Sequence, residues 1–278
     1  MMVRQSYAIR LAGLSLVLGA STASAQELPR LAPVASQEPS RVASPYVDLV
    51  EVRAVDADDP IAPPARPLFS YSDSARRIAE GAIWAWGPGR PLVMMKSWKN
   101  PTGTRTRAFS LTSEELVIVR GPQAKVWKPE QSDAAPAELR DAPAPDRNEA
   151  ARLRQLKEQA RRFTAHEFWD PDNTRSERRL LVQPVHRYRD QQRQIVDGAV
   201  FLLAVDNNPQ ILLLIEMLSP AADEFRWQYL PARVSSADLH VALDGREVWT
   251  QDRTPGIIGT SSDSYWHMVT VPLAGSAP

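Results

Sequence analysis

The chain has 278 residues, of which 43% are hydrophobic and 24% are charged. These proportions are typical of a globular protein and exclude a chain that is wholly disordered or wholly embedded in a membrane. Basic and acidic side chains number 33 each, so no strong basic field exists to collect nucleic acid. The chain has no cysteine, which excludes disulfides, thiolate metal sites and catalytic thiols.

The first residues have the pattern of a secretory signal peptide. Arg4 and Arg10 precede an apolar run of about ten residues, and small residues at Ala23 and Ala25 mark a cleavage site. That run is roughly half of what a helix needs to cross the hydrocarbon core, so we expect no membrane span. The sequence therefore predicts cleavage after Ala25 and export to the periplasm or the extracellular space.

Prolines, 24 in all, outnumber the 12 glycines and concentrate in two stretches. The stretch 26–66 predicts a disordered arm after the signal peptide at 1–25, with one short segment at 46–55 that could form an edge strand. The second stretch, 128–146, predicts a loop that bulges from the surface. We expect a single β-rich domain over 67–272, interrupted by that loop.

Strand signals dominate this region. Short apolar or alternating segments bounded by turn residues predict strands at 82–87, 92–98, 116–119, 180–188, 199–205 and 211–218. The last two are almost continuously apolar, which is typical of strands covered on both faces. Leu239–Leu243 and 246–249 flank Asp244-Gly245, a pair suited to a type I′ hairpin turn.

One helix is predicted at about 147–165. Asp146 and Glu149 form a candidate N-terminal capping box. The apolar side chains of the helix recur along one face, and they are Leu153, Leu156, Ala160 and Phe163. The other face is basic, which fits either a solvated surface or contact with an anionic membrane. The predicted fold class is α+β and β-rich: an antiparallel sheet or β-sandwich-like body with one amphipathic helix packed against it.

The sequence lacks the common catalytic and cofactor motifs, including nucleophile elbows, zinc-protease helices and phosphate loops. Its four histidines are His166, His186, His240 and His267. No two are spaced as a metal pair on one helix or strand. We therefore expect solvated or capping histidines, no metal site and no cofactor.

Two acidic residues are candidates for paired catalysis. Glu216 interrupts the apolar strand 211–218, and Asp197 precedes the partner strand. If Val205 pairs with Ile211, the two carboxylates lie about 10 Å apart along the ladder, which is close to the spacing in inverting glycosidases. The alternative is structural: Glu216 marks the emergence of the strand from the core and pairs with an arginine.

Aromatic residues provide the candidate binding positions. The chain has eight tryptophans, and Trp84 and Trp86 share one face of their strand, where exposed rings would stack on sugars. In the Asp244-Gly245 hairpin, the expected register places His240 opposite Trp249 on an outward face. The alternative is that the tryptophans fill the core, since tryptophan is highly buried on average.

Three segments resemble a family of uncharacterised exported proteins from planctomycete bacteria. These segments are Gly81-Ala-Ile-Trp-Ala-Trp-Gly87, the run from Gly198 to Glu216, and Leu243-Asp-Gly-Arg-Glu-Val-Trp249. The resemblance covers roughly 68–250, although Asp206-Asn207-Asn208 stands where a glycine-containing turn is expected. It implies export and a single domain, and it assigns no activity and no functional residue.

We therefore expect a non-enzymatic binding or interaction protein outside the cytoplasm, with a glycan or an envelope component as candidate partner. The alternative is a hydrolase that acts on a cell-envelope or environmental polysaccharide through Glu216 and Asp197. A third hypothesis uses the basic helix to bind a membrane surface.

Overall fold

The computed structural model describes residues 44, 46–169, 174–221, 224–254 and 263–270. Within these residues the chain forms sixteen β-strands and one α-helix, α1 (Glu149–Ala160). The strands are β1 (Glu51–Ala54), β2 (Phe69–Asp73), β3 (Ile78–Trp86), β4 (Val93–Lys99), β5 (Arg105–Leu111), β6 (Val117–Arg120), β7 (Val126–Trp127), β8 (Ala137–Glu138), β9 (Phe163–Phe168), β10 (Arg175–Asp190), β11 (Ile195–Val205), β12 (Asn208–Ala221), β13 (Glu224–Arg233), β14 (Asp238–Leu243), β15 (Arg246–Gln251) and β16 (Tyr265–Thr270).

The strands form three antiparallel sheets. Their strand orders are β1-β6-β7, then β16-β5-β4-β3-β2, and then β15-β14-β9-β10-β11-β12-β13-β8. The prediction of a β-rich α+β fold with antiparallel sheets and one packed helix is confirmed for the described residues. None of their helices has the length and apolar character needed to cross a membrane.

The five-stranded sheet is buried on both faces. One face packs on the three-stranded sheet through a cluster that contains Trp84, Trp86, Phe109 and Trp127. The other face packs on the eight-stranded sheet, where Ile83 and Met94 join apolar side chains of β11, β12 and β13. The far face of the eight-stranded sheet has its own core, to which α1 and strands β9 and β14 of the same curled sheet contribute side chains.

The central hairpin β11–β12 explains the apolar runs in the sequence. Residues 199–204 of β11 and 211–215 of β12 are fully buried, because each strand has a core on both faces. The connection is a two-residue turn at Asp206 and Asn207, and Val205 pairs with Asn208. The expected pairing of Val205 with Ile211 was therefore wrong, because Asn208, Pro209 and Gln210 continue the strand instead of forming the loop.

The helix is shorter than predicted. Its N-cap is Asn148, whose side chain accepts hydrogen bonds from the backbone of Ala150 and Ala151, and Asp146 instead accepts from the backbone N–H of Asn148. The helix ends at Ala160, and Phe163 begins strand β9. Phe163 thus packs in the same core as Leu156 from a strand and not from a fourth helical turn.

Both proline-rich stretches are partly fixed to the fold. Tyr46, Val47 and Val52 are buried in a core, and β1 pairs with β6. The edge strand predicted within 46–55 is therefore present as β1, because its apolar side chains have a partner sheet to pack on; residues 26–43 and 45 lie outside the described residues. In the second stretch, β8 pairs with β13 and Leu139 is buried, so that segment covers a sheet edge.

Candidate functional site

Glu216 and Asp197 lie on opposite faces of the eight-stranded sheet. Glu216 pairs with Gly198, whereas Asp197 pairs with Met217. Directly paired residues share a face and successive residues alternate, so the two carboxylates point into different cores. The expected separation along one ladder was wrong because the register differs, and the pair cannot flank one bond of a polysaccharide.

Glu216 is fully buried and is the acceptor of a buried hydrogen-bond network. Its two carboxylate oxygens accept hydrogen bonds from Arg90 Nε (2.8 Å) and Arg90 Nη2 (2.6 Å). They also accept from the Tyr188 hydroxyl (2.5 Å) and Gln228 Nε2 (2.6 Å). Four donors occupy the carboxylate, so Glu216 has little capacity left to bind a nucleophilic water. The structural alternative, pairing with an arginine, is confirmed.

Asp197 anchors the helix. Arg152 donates from Nε to its Oδ2 (2.8 Å), and Arg187 donates from Nε to its Oδ1 (2.8 Å). Arg152 itself is 7% exposed, so this member of the basic helix face points into the protein. The membrane-surface hypothesis therefore rests on the remaining basic side chains of α1, because Arg152 is not free to contact a membrane.

The first two aromatic residues predicted to bind a ligand lie in the core. Trp84 and Trp86 share a face, as expected, but they are 3% and 1% exposed and belong to the core between two sheets. They form no exposed platform, because the three-stranded sheet covers that face.

The His240–Trp249 pairing was wrong by one residue. A register shift in the hairpin pairs Val241 with Trp249 and His240 with Thr250. His240 instead stacks on His166 with ring centroids 4.6 Å apart, and its ring nitrogens contact Asp238 and Glu247. Trp249 packs against the core under α1. The two side chains therefore make no joint binding surface.

A different site emerges where the five-stranded sheet meets the eight-stranded sheet. A pocket of about 390 Å³ opens there, within the size range of small-molecule sites. Its lining combines aromatic rings, cationic groups and small polar residues. The principal members are Arg76, Arg77, Lys96, Trp98, Trp169, Asn208, Gln210, Ser235, Tyr265 and His267.

The floor of the pocket follows from strand register. Lys96 on β4 pairs with Ala108 on β5, and Ala108 pairs with His267 on β16. Paired residues share a face, so Lys96, Ala108 and His267 lie side by side on one face of the five-stranded sheet. Trp98, two residues along β4, brings its ring to 5.2 Å from the His267 ring.

Lys96 is the central cation of the pocket. It is 4% exposed, and its Nζ donates to the carbonyl oxygen of Pro209 at 2.5 Å. The same Nζ lies 5.6 Å from the ring centroids of both Tyr71 and Trp98, which is cation–π distance. Burial lowers the pKa of Lys96 to about 7, an effect that the nearby Glu167 and Asp73 charges only partly oppose.

Two lining residues carry buried polar atoms that have no hydrogen-bond partner among the described residues. These atoms are Asn208 Oδ1 and both ring nitrogens of His267. Asn208 Nδ2 donates to Asp73 at 2.7 Å, which fixes the orientation of the amide. Burial and the Lys96 charge lower the pKa of His267 to about 4, so the neutral ring offers one donor and one acceptor at neutral pH.

An ionic layer supports the pocket. Arg76 donates to Asp73 (Nη1–Oδ2, 3.2 Å) and to Glu167 (Nη2–Oε1, 3.1 Å). Arg178 lies 3.4 Å from the same Glu167 oxygen, and Glu167 Oε2 is buried without a hydrogen-bond partner in the described part of the chain. Burial raises the pKa of Glu167, although both arginines oppose this shift.

The lining favours an anion over a metal. Arg77 and Lys96 are cationic without a carboxylate partner in the described part of the chain, Arg76 is cationic and already paired with Asp73 and Glu167, and no aspartate or glutamate lines the pocket. The described residues contain no group of three or more histidine, aspartate or glutamate side chains arranged for a metal ion.

Sequence reasoning placed none of its candidate residues in this pocket. The available signals were a lone lysine inside the apolar segment 92–98 and the polar residues Asn208 and Gln210, of which Asn208 was placed in the loop between the two central strands. Comparison with family models, with curated proteins and with solved structures finds no match for this chain.

Proposed function

We propose that the protein is a non-enzymatic binding protein whose ligand is a small planar anion held in the Lys96 pocket. The observation that carries this proposal is the lining: three cationic side chains and the rings of Trp98, Trp169, Tyr265 and His267 converge there without any carboxylate. Convergent polar groups in an aromatic pocket are the usual form of a ligand site.

The charge of the lining indicates which ligand would be selected. An anionic group gains from the partly desolvated Lys96 ammonium, because electrostatic attraction is stronger where water is displaced. A flat ring can stack on Trp98, and the polar side chains of the lining can pair with polar groups of the ligand. These features favour an aromatic acid over a neutral sugar.

A charge series of small probes tests the proposal. Benzoate, benzamide and benzamidine share one ring and differ in charge, and methyl glucoside serves as a neutral sugar probe. We expect tryptophan fluorescence and calorimetry to detect benzoate binding, with weaker binding of benzamide and none of benzamidine. Lys96→Met should remove the preference for the anion, whereas Arg154→Gln, on the exposed face of α1, should leave it intact.

Equal binding of all three benzene probes would contradict selection by charge. Binding of methyl glucoside in preference to benzoate would instead support the glycan hypothesis.

Export is part of the same proposal. The pattern of Arg4 and Arg10, the apolar run 11–20 and the small residues Ala23 and Ala25 supports it. Mass spectrometry of the protein purified from a periplasmic or extracellular fraction should give the intact mass of a chain that begins at Gln26. An intact chain recovered only from the cytoplasm would contradict export.

A further inference from the structure

Lys96 has the surroundings of a reactive amine and not of an ion-pair partner. No carboxylate lies within 4.0 Å of its Nζ in the described part of the chain, and its one hydrogen bond is to the Pro209 carbonyl. The nearest acids are already engaged, since Asp73 pairs with Arg76 and Glu167 contacts Arg76 and Arg178. Lys96 is therefore a buried lysine that lines a pocket without a counter-ion in contact.

This environment supplies a neutral amine at physiological pH. Burial is the main cause that lowers the pKa of Lys96 to about 7, so roughly half of the molecules carry an unprotonated Nζ at neutral pH. A lysine desolvated in an apolar pocket is the form that attacks carbonyl groups to give Schiff bases.

The groups around Nζ also suit the product. A protonated imine keeps one positive charge at the same nitrogen, so the Tyr71 and Trp98 rings at 5.6 Å remain favourable neighbours. The pocket holds the bond in partly dehydrated surroundings, which slows its hydrolysis. The pocket of about 390 Å³ that Lys96 lines provides the volume for the incoming group.

We propose that Lys96 captures ligands covalently, by forming an imine between its Nζ and an aldehyde that carries an aromatic ring and an anionic group. This inference rests on the pocket function proposed above. The neutral amine adds to the carbonyl carbon, the C–O bond of the carbinolamine then breaks, and the oxygen leaves as water with two protons from the nitrogen. One amine and one aldehyde thus give one neutral imine and one water, without an oxidant or reductant, and the imine nitrogen then takes one proton from solvent to become the protonated form.

Reductive trapping tests the proposal on the full mature chain. The probe is 4-formylbenzoate at neutral pH, followed by cyanoborohydride, which converts the imine to a stable secondary amine. The chain has only five lysines, Lys96, Lys99, Lys125, Lys128 and Lys157, so peptide mass spectrometry can score each one. We expect labelling of Lys96 to exceed that of any other lysine by about tenfold or more.

Two variants serve as controls. Lys96→Arg keeps a cation in the pocket and cannot form the imine, so we expect the dominant adduct to disappear while benzoate still binds. Lys128→Arg changes an exposed lysine and should leave the dominant adduct unchanged. Excess benzoate should compete with the labelling of Lys96 and not with that of Lys128.

The possible failures are distinguishable. If benzoate binds but the label spreads over the exposed lysines, the covalent inference is wrong and the binding proposal stands. If benzoate does not bind and Lys96 is unlabelled, both proposals are wrong. Strong labelling of Lys96 without competition by benzoate would keep the reactive lysine and contradict the anion selectivity.

Discussion

Lys96 shows how one side chain can set the chemistry of a pocket. A lysine that points into solvent is a point charge, whereas this one lies under two rings and a proline carbonyl. Its free energy of protonation is therefore coupled to folding and to ligand binding, and both couplings are measurable.

The first prediction concerns stability. Lysine in an unfolded chain titrates at about 10.4, whereas burial lowers the pKa of Lys96 to about 7 in the folded protein. Between these values the unfolded chain binds more protons, so Lys96 makes the free energy of unfolding rise with pH, by up to about 1.4 kcal/mol per pH unit. Below about pH 7 both states are protonated and this contribution is constant.

Urea unfolding of the wild type and of Lys96→Met at several pH values checks this pH dependence of stability. The difference in free energy of unfolding, wild type minus variant, should grow in favour of the wild type from about pH 7 towards about pH 10. All other titrating groups are common to both proteins. Parallel pH profiles would mean that Lys96 keeps the proton affinity of an exposed lysine.

The second prediction concerns the ligand. Benzoate stays ionised across the neutral range, and it gains from the Lys96 ammonium only while that group is protonated. The affinity for benzoate should therefore fall by about tenfold between about pH 6 and about pH 9. Lys96→Arg should show little change, because its guanidinium stays protonated. Calorimetric titrations at both pH values measure this, and a decline of equal size in the variant would refute it.

At the scale of single elements, strand β3 positions the ring beneath Lys96. Tyr71 on β2 pairs directly with Gly81 on β3, and its ring covers the position where a side chain would begin. A Cβ added at Gly81 would lie only 2.3 Å from Tyr71 Cζ. The glycine is thus required by close approach and not by an unusual backbone angle.

The third prediction follows from this contact. Gly81→Ala should displace the Tyr71 ring and lower the free energy of unfolding by about 1–3 kcal/mol, the usual cost of overpacking a core. In a Tyr71→Leu background the same change should cost much less, since the obstructing ring is gone. Urea unfolding of the four proteins closes the cycle. An equal cost in both backgrounds would place the clash elsewhere.

Elements were predictable where a local pattern decides them. The Asp244-Gly245 turn, with positive φ at both residues, and the apolar runs of β11 and β12 follow from turn chemistry and periodicity. The end of α1 was not predictable in this way, because Phe163 fits a helical face and a strand equally well. Tertiary pairing of β9 with β14 and β10 decides in favour of the strand.

At the scale of the whole molecule, Arg90 and Glu216 join two sheets. Arg90 lies in the loop between β3 and β4 of the five-stranded sheet, and its side chain pairs with Glu216 in the middle of β12. Both side chains are almost fully buried. Neighbouring donors and acceptors complete the network, so that neither charge is left unpaired.

The fourth prediction uses this pair. Removing one partner leaves a buried charge, so Arg90→Met or Glu216→Leu alone should cost about 3–5 kcal/mol of stability. The double variant should be less destabilised than the sum of the two single variants, because no unpaired ion remains. Urea unfolding measures all four proteins, and strict additivity would show that the pair contributes no coupling.

The pocket could not be predicted from sequence for a reason at this same scale. Lys96 and Pro209 are 113 residues apart, and they meet only because two sheets pack face to face. Strand patterns predicted that β4 and β12 exist, but no local rule indicates which face of one sheet covers which strand of the other. The sequence also left open whether Glu216 was catalytic or structural, and only the register decides this.

Because the pocket draws its walls from both sheets, a bound molecule would have contacts with each of them. Lys96 and His267 come from one sheet, and Asn208 and Gln210 come from the other. Such a molecule can bind only after the sheets have docked, so it should raise the melting temperature of the whole fold. At a free concentration of one hundred times Kd it would add about 2.7 kcal/mol. Thermal denaturation can thus screen a compound library for the natural ligand without any assay of activity.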